Sequence, residues 1–491
     1  MILLKKLFLE AFPEDPALSA NLSDVPVSGL ECDSRRVEKD FLFLAIPGVK
    51  QDGAKFIEEA RLRGAGVIVG QTREISPSNG VLYIPVPDAR LAAARLSAAY
   101  YGQPSKKLKT VGITGTNGKT TSAYLLEYLL LAENKKTGVI GTINYRYGST
   151  VIPAKETTPG PLTVQKILSE MVDARCETAV MEVSSHAIDQ KRTEGIEFSA
   201  ALFTNLTQDH LDYHGSLEKY FECKAKLFLG LGPESISVLN ADDLRIMQLR
   251  DRVVSKIMTY SIDQPADLMA KDIRRGVSST EFNLHDGRTA ENFSVKLPLV
   301  GTHNVYNALG ALAVMKSLGF GLKKCVQNLE NFKGVPGRLE AVEEGQDFRV
   351  FIDFAHSPDG LENVLRSLVP YKTKKLFLVF GCGGDRDRGK RPKMAAIASL
   401  FCDHVFITSD NPRSEDPLQI IREICAGFPD NFKKYTVIPD RGKALRQALM
   451  AARKDDIVLL AGKGHETTQV VGTHALPFSD REEARKVLNG H

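Results

Sequence analysis

Lys109-Thr110-Val111-Gly112-Ile113-Thr114-Gly115-Thr116-Asn117-Gly118-Lys119-Thr120-Thr121 is the stretch on which the reading of this chain turns. A β-branched run at 109–113 enters a glycine-rich loop, and a helical pattern follows. Glycines let successive backbone N–H groups face one centre, and the N-terminus of the next helix adds the positive end of its dipole, so the loop favours an anion. Gly115, Thr116, Asn117, Gly118 and Thr121 form the cradle; Lys119 adds a mobile charge for the β and γ phosphates, and the Thr120 hydroxyl can ligate Mg²⁺. The strict phosphate-loop spacing needs glycine at 113, where this chain has Ile113. A plain glycine-rich turn is the alternative; Gly118-Lys119-Thr120 between strand and helix favours ATP.

Outward from this loop the pattern repeats. Apolar runs at 137–143, 179–183, 200–204 and 235–239 alternate with helical patterns, which implies a mostly parallel sheet covered on both faces. Upstream, 66–70 and 81–86 read as buried strands of a compact α/β module that ends at the turn-rich Tyr101-Gly102-Gln103-Pro104. Downstream of Gly337-Arg338, strand candidates at 349–353, 375–380, 404–408 and 457–461, with helices at 392–401 and 440–453, make a doubly wound pattern. The expectation is an α/β chain of three domains, 1–104, 105–336 and 337–491. Its 491 residues suit that number at roughly 100–200 residues per domain.

Composition narrows the class. The chain is 43% hydrophobic and 25% charged, which supports buried cores and excludes a disordered or collagen-like polymer. The net charge of +4, from 64 basic and 60 acidic residues, points to no nucleic-acid or membrane-surface partner. Seven cysteines lie scattered with no CxxC pair, so buried thiols in a reducing compartment are expected rather than disulfides or structural zinc. The opening MILLKKLFLEAFPEDP reads as a short helix, not a signal peptide, and no run approaches the ~18 apolar residues of a membrane span. A cytoplasmic location is expected.

Three further polar groups are candidates, two at strand ends and one on a helix. Glu182 closes the run AVMEV, where open α/β sheets bind ligands, and can hold Mg²⁺ opposite the phosphate loop; a solvated strand-end glutamate is the alternative. His210, in the run Thr204-Asn205-Leu206-Thr207-Gln208-Asp209-His210, can contact a metal or phosphate or be a hydrogen-bonded structural residue. Lys224 lies on an amphipathic helix, and periodicity does not separate it from Lys226.

Taken in order, GTNGKTT at 115–121, EVSSH at 182–186, TNLTQDHLDYH at 204–214, YFECK at 220–224, GTHNVYN at 301–307, GRLE at 337–340 and DFAHSP at 353–358 resemble the Mur ligases over nearly the whole chain. Asp33-Ser34-Arg35 and Asp410-Asn411-Pro412-Arg413 resemble the branch that adds the third residue of the peptide. The resemblance implies a UDP-binding domain, a central ATPase and a C-terminal Rossmann-like domain. It implies ligation of meso-diaminopimelate to the D-glutamyl γ-carboxylate of UDP-N-acetylmuramoyl-L-Ala-D-Glu, through an acyl phosphate, in peptidoglycan precursor synthesis. It further implies ATP, two Mg²⁺ ions and a monomer with small-molecule substrates only.

The resemblance also distributes roles. Lys119, Lys224 and His210 would be catalytic, with Lys224 carbamylated by CO₂ into a metal ligand beside Thr120, Glu182 and His210. Asn304 would read adenine, with Arg338, Asp353 and His356 near the rest of the nucleotide. Ser34 matches a uridine contact, Val49, Lys50 and Gln51 fall in the loop that follows, and Thr157, Thr158, Ser184, Gln190 and Arg192 match contacts to sugar and dipeptide.

Three loops at strand ends, 381–388, 410–413 and 462–466, are expected to converge on the amino acid. Arg386, Asp410, Asn411, Pro412, Gly462 and Glu466 match its contacts, and Arg413 discriminates: a guanidinium binds a carboxylate with two parallel hydrogen bonds, and diaminopimelate has a distal carboxylate where lysine has none. The alternatives are a lysine-adding ligase of the same branch, a folate polyglutamylating ligase and a nucleotide-binding switch without ligase chemistry. Closure of the C-terminal domain is expected to bring the amine to the acyl phosphate.

Overall fold

A computed structural model describes residues 1–48, 51–71, 81–276 and 279–490. The chain forms two compact units, Met1–Met269 with Leu309–Cys325, and Ala270–Ala308 with Val326–His491.

The first unit begins with the helix Leu4–Ala11, whose buried Leu4, Leu7, Phe8 and Ala11 follow the helical repeat. This stripe packs on the alanine-rich helix Ala89–Tyr100, over the parallel strands Gly29–Glu31, Phe41–Ala45, Ala65–Gly70 and Leu82–Pro85. Asp88 caps that helix, its Oδ1 accepting from the amides of Arg90 and Leu91 at 3.0 Å, while its Oδ2 accepts from Lys191 Nζ at 2.5 Å. One residue therefore finishes a helix and ties the N-terminal module to the central sheet.

Within the first unit the central sheet, up to Lys256–Ser261, has the spatial order Thr150–Pro153, Asn144–Tyr147, Thr137–Ile140, Thr178–Glu182, Lys109–Thr114, Ala200–Phe203, Ile236–Asn240, Lys256–Ser261. All are parallel from Thr137–Ile140 onward. The hairpin 144–153 is antiparallel and was not expected from the helical reading of that interval. The run at 137–143 is a strand only to Ile140, because the Thr142 amide turns away from the ladder to donate to Glu182 Oε1 at 2.9 Å. The strand Lys109–Thr114 sits centrally, so its carboxyl end, where the phosphate loop begins, is flanked by the ends of Thr178–Glu182 and Ala200–Phe203.

The second unit is built on Glu340–Val342, Arg349–Asp353, Ile457–Ala461, Leu376–Phe380, His404–Ile407 and Tyr435–Val437, in that spatial order. Only Glu340–Val342 runs antiparallel. Helices cover both faces: Leu361, Leu365, Met394 and Ile421 fill one core, Ala444, Leu445, Ala448 and Ala484 the other. The expected doubly wound sheet is present, and its four loops at 353, 381, 410 and 462 leave from the same edge.

Five of the seven cysteines are buried, as expected; Cys32 is exposed where the strand Gly29–Glu31 turns into the short helix Ser34–Arg36, and Cys425 is half-buried. Among the described residues no helix is long and apolar enough to cross a membrane.

Candidate active site

Gly115 leads the phosphate loop with φ 142°, and a Cβ there would lie 1.9 Å from Thr204 Oγ1, so only glycine fits. The end of the neighbouring strand braces the loop. Asn205 accepts from the Asn117 amide at 3.0 Å and donates back to the Asn117 carbonyl at 3.1 Å, and Thr204 Oγ1 donates to that same carbonyl at 2.6 Å. The Thr116 amide donates to the Asn205 carbonyl at 2.9 Å. The helix Lys119–Ala132 starts at the loop, and its first amides have no acceptor within the helix, the property that suits a phosphate. Lys119 Nζ curls back onto the carbonyls of Gly115 and Thr116, each at 2.8 Å.

Behind the loop lies Glu182, 1% exposed. Its carboxylate accepts from Thr120 Oγ1 at 2.9 Å, Thr142 Oγ1 at 3.0 Å and the Thr142 amide at 2.9 Å. Thr157 Oγ1 stands 3.1 Å from Thr142 Oγ1. Among the described residues no cation pairs with this carboxylate. A buried carboxylate surrounded only by neutral oxygen and amide donors is the environment a hard divalent cation completes.

Lys224 is buried while its neighbour Lys226 is exposed. Its Nζ donates to the Gly115 carbonyl at 3.0 Å, approaches Thr114 Oγ1 at 3.4 Å and sits 4.6 Å from the Tyr220 ring centroid. Burial pushes the Lys224 ammonium well below the usual lysine range, and the charge of Lys119 adds to that. His210 has left-handed backbone, φ 52°, and its ring stands edge-on to His186, centroids 4.8 Å apart.

Ser34, 5% exposed, donates its hydroxyl to Glu59 Oε2 at 2.7 Å. Thr158 Oγ1 bridges the Glu182 carbonyl at 2.8 Å and the Ser184 amide at 3.1 Å, and Ser184 caps the helix Ser185–Asp189. Arg192 holds Gln190 Oε1 at 2.8 Å, the Thr158 carbonyl at 2.8 Å and Glu156. Gln190 and Arg192 line one pocket with Pro47, Gly48 and Arg90 of the N-terminal module. Gln51 is exposed, with its carbonyl accepting from the Gly48 amide at 3.0 Å; Val49 and Lys50 lie outside the described residues.

Asn304, Arg338, Asp353 and His356 belong to the second unit. The Asn304 side chain is 4% exposed, donating to the Val300 carbonyl at 2.8 Å and accepting from Asn307 at 3.0 Å. Asp353 accepts from the amides of Leu339 at 2.7 Å and Ala355 at 2.8 Å; burial raises its carboxyl while Arg338 opposes that shift. Phe354 is surrounded by the Arg338 guanidinium at 5.1 Å and the rings of His356 at 4.7 Å and His465 at 5.0 Å. Burial lowers His465 to about 4, which keeps its ring neutral at pH 7.

The 410 and 462 loops interlock. Asn411 donates to Glu466 Oε2 at 2.9 Å, and Lys463 Nζ reaches Asn411 Oδ1 at 3.2 Å, Glu466 Oε2 at 2.8 Å and the Thr468 carbonyl at 2.6 Å. Asp410 accepts from the Asn411 amide at 2.6 Å and stands where a Cβ on Gly462 would reach it at 2.8 Å. The Pro412 carbonyl accepts from Glu415 at 3.1 Å. Arg413, half-buried, donates Nη1 to the Gly384 carbonyl at 2.7 Å and pairs with no carboxylate among the described residues. Arg386 is exposed and bonds only the Asp385 carbonyl, at 3.1 Å, among the described residues.

Residues 26–101 match the model described as Mur ligase family, catalytic domain, 113–315 the Mur ligase middle domain, and 337–464 the Mur ligase, glutamate ligase domain. The chain belongs to the Mur ligase family. It is thus an ATP-dependent ligase that forms amide bonds. It is 43% identical over 465 residues to the UDP-N-acetylmuramoyl-L-alanyl-D-glutamate--2,6-diaminopimelate ligase of Caldanaerobacter subterraneus subsp. tengcongensis, covering 95% of each chain. To the Synechococcus elongatus ligase of the same name it is 44% identical over 472 residues, covering 95% of this chain and 94% of the relative. A solved structure of a ligase with that name aligns with a TM-score of 0.70 at 33% identity, covering 98% of each chain.

Several residues that shape this Mur ligase were not singled out from the sequence. Thr142 binds Glu182 from a run read as strand, and Thr204 and Asn205 clamp the phosphate loop from 87 and 88 residues away. Lys463 is fully buried at the centre of the 410–466 network. The density of polar residues that follows the apolar run at 200–204 marks Thr204 and Asn205, and the strand-end loop 462–466 contains Lys463, but no local pattern sets Thr142 apart.

Proposed function

We propose that this Mur ligase joins meso-diaminopimelate to the D-glutamyl γ-carboxylate of UDP-N-acetylmuramoyl-L-Ala-D-Glu, consuming ATP, in peptidoglycan precursor synthesis. The observation that carries the choice of amino acid is Arg413, half-buried, aimed by a backbone carbonyl and unpaired with any carboxylate among the described residues. A distal carboxylate completes it; lysine has none to offer. The full-length likeness to ligases named for 2,6-diaminopimelate supports the same reading. We assign 1–104 to the UDP-sugar, 105–336 to ATP and 337–491 to the amino acid, in a cytoplasmic monomer.

The γ-carboxylate attacks the γ-phosphorus, ADP leaves, and an acyl phosphate forms. Lys119 leaves the carbonyls of Gly115 and Thr116 to meet the γ-phosphate, and the loop amides offset the charge that develops there. Thr120 and Glu182 would hold one Mg²⁺, with His210 and Lys224 at a second; when bound, the ions would neutralise the triphosphate and polarise its γ-phosphoryl group. Burial pushes the Lys224 ammonium well below the usual lysine range, so it gives up its proton more readily than a solvated lysine; the freed lone pair would then add to CO₂, forming the N–C bond with loss of one N–H proton and leaving a carbamate anion. Ser34 and Gln51, with the loop carrying Val49 and Lys50, take the uridine end of the substrate, and Thr157, Thr158, Ser184, Gln190 and Arg192 take the sugar and dipeptide. Asn304, Arg338, Asp353 and His356 contact the nucleoside. Arg386, Asp410, Asn411, Pro412, Gly462 and Glu466 hold the amino acid with Arg413; its amine, once deprotonated, attacks the acyl carbonyl and phosphate departs.

The test is phosphate release by the purified chain with ATP, Mg²⁺ and the UDP-muramoyl dipeptide, offered meso-diaminopimelate, L-lysine or neither. Release is expected with diaminopimelate only. Equal turnover with lysine overturns the amino-acid assignment, and turnover of a folate substrate with glutamate overturns the acceptor.

A further inference from the structure

Arg391, on the helix Lys390–Phe401, has a side chain with 0% exposure. Its Nη2 and Nη1 donate to Glu415 Oε1 at 2.8 Å and Oε2 at 2.9 Å, Nη1 also donates to Glu423 Oε2 at 2.7 Å, and Nη2 lies 3.3 Å from the Gly383 carbonyl. Glu415 Oε1 accepts a further hydrogen bond, from the Asp385 amide at 2.6 Å. Beside it, Ser414 Oγ donates to Asp385 Oδ1 at 2.6 Å. Glu415 is therefore the pin between a buried arginine and the backbone of the loop after Leu376–Phe380. The Arg391 guanidinium and the Asp385 amide hold the Glu415 carboxyl below its usual range.

That loop is what aims Arg413. The Gly384 amide donates to the Asn411 carbonyl at 2.9 Å, and the Gly384 carbonyl accepts from Arg413 Nη1 at 2.7 Å. The packing leaves no slack: a Cβ on Gly384 would lie 1.9 Å from the Pro412 carbonyl oxygen. Asp385 and Arg413 both have left-handed backbone, φ 54° and 51°, a conformation kept only where surroundings over-determine it. With Nη1 engaged, the Nε–Nη2 edge is the pair of parallel donors left for a carboxylate. Such two-point recognition works only within a narrow range of position and angle.

We infer that Glu415, locked by Arg391, is a positioning and specificity-determining residue: through the Gly384 carbonyl it sets the Arg413 guanidinium for the distal carboxylate of the incoming amino acid, without touching that amino acid. The inference rests on Arg413 being the distal-carboxylate ligand. A plain structural ion pair would lower stability and affect all substrates alike; a positioning residue acts on one substrate and only through Arg413.

Steady-state kinetics of the full chain separates these. Glu415→Gln keeps an acceptor for Asp385 and removes the charge that fixes Arg391. It raises KM for diaminopimelate about tenfold and leaves KM for ATP and the muramoyl dipeptide within about twofold. Preference for diaminopimelate over L-lysine falls by the same factor. In an Arg413→Ala background the same substitution has less than about a twofold effect on that KM, because the group it positions is gone. Arg391→Lys, which keeps the charge but cannot bind both Glu415 oxygens in a fork, gives the same pattern and serves if Glu415→Gln lowers the Tm too far for assay. A KM for diaminopimelate unchanged in both variants, or an effect fully additive with Arg413→Ala, overturns the inference. Arg413→Ala with an unchanged KM for diaminopimelate removes the parent reading and this one together; a raised KM in Arg413→Ala with Glu415→Gln and Arg391→Lys silent removes this one alone.

Discussion

Glu182 and Lys224 in the first unit, and Arg441 and Asp480 in the second, are all almost fully buried, yet their charges are handled in opposite ways. Arg441 and Asp480 bind each other through two hydrogen bonds of 2.7 and 2.6 Å, and Arg441 Nη2 also caps the Ala461 carbonyl at 2.9 Å. Lys463 with Glu466, and Arg391 with Glu415 and Glu423, follow the same rule. Glu182 and Lys224 have no ion-pair partner among the described residues, only neutral donors and acceptors. A buried charge without a partner is costly. In the second unit these buried charges are neutralised by partners within the protein, while the half-buried Arg413 pairs with no carboxylate among the described residues. In the first unit Glu182 and Lys224 are left without an opposite charge among the described residues, the arrangement expected near a site of chemistry.

Substitutions can break this contrast. The largest effect is expected for Lys224→Ala, which removes the nitrogen proposed above to carry a carbamate: kcat falls on the order of 10³-fold or more, about 4 kcal/mol, in the phosphate-release assay. A mutant with near-normal turnover would place Lys224 outside the chemistry. Asp480→Asn leaves Arg441 charged and unpaired in the core, and chemical denaturation is expected to show a loss of about 3–5 kcal/mol for the second unit. A change below about 1 kcal/mol would mean that the pair contributes little. Arg413→Ala raises KM for diaminopimelate about 30-fold, about 2 kcal/mol, with KM for ATP unchanged. Smallest is a pH effect. The Lys224 ammonium titrates below its unfolded value, so between the two values the unfolded chain binds more protons and stability rises with pH. Thermal unfolding of the ligand-free chain is expected to show that rise up to the ordinary lysine range, and Lys224→Met is expected to flatten it; an identical slope in the variant would refute the depressed titration.

Much of the fold could be read from local pattern. Short β-branched runs ending in glycine or polar clusters located the strands Lys109–Thr114, Ala65–Gly70, Arg349–Asp353 and Ile457–Ala461 within a residue or so. The misses have a physical origin. The strand Thr150–Pro153 is exposed along its whole length, so it shows no one-faced pattern, and Asn144–Tyr147 buries Tyr145 and Tyr147 alternately but over only four residues. The run at 137–143 stops early because a carboxylate 40 residues away takes the Thr142 amide out of the ladder.

By itself the sequence determined the nucleotide chemistry, because a phosphate loop is a local object: a strand, glycines for the turn, a lysine and a hydroxyl within 13 consecutive residues, 109–121. It also placed Arg413 on a loop at a strand end, since that needs only the strand and its length. Tertiary structure alone decided which lysine is special: Lys224 and Lys226 share one helix, and only the packing of that helix against the Thr114–Gly115 backbone buries the first and leaves the second in water. It alone decided that Glu415 meets Arg391 rather than solvent, and that Glu182 meets three neutral donors rather than a cation. Desolvation and charge pairing depend on what the chain brings within a few ångströms from dozens of residues away, and no local spacing encodes that distance.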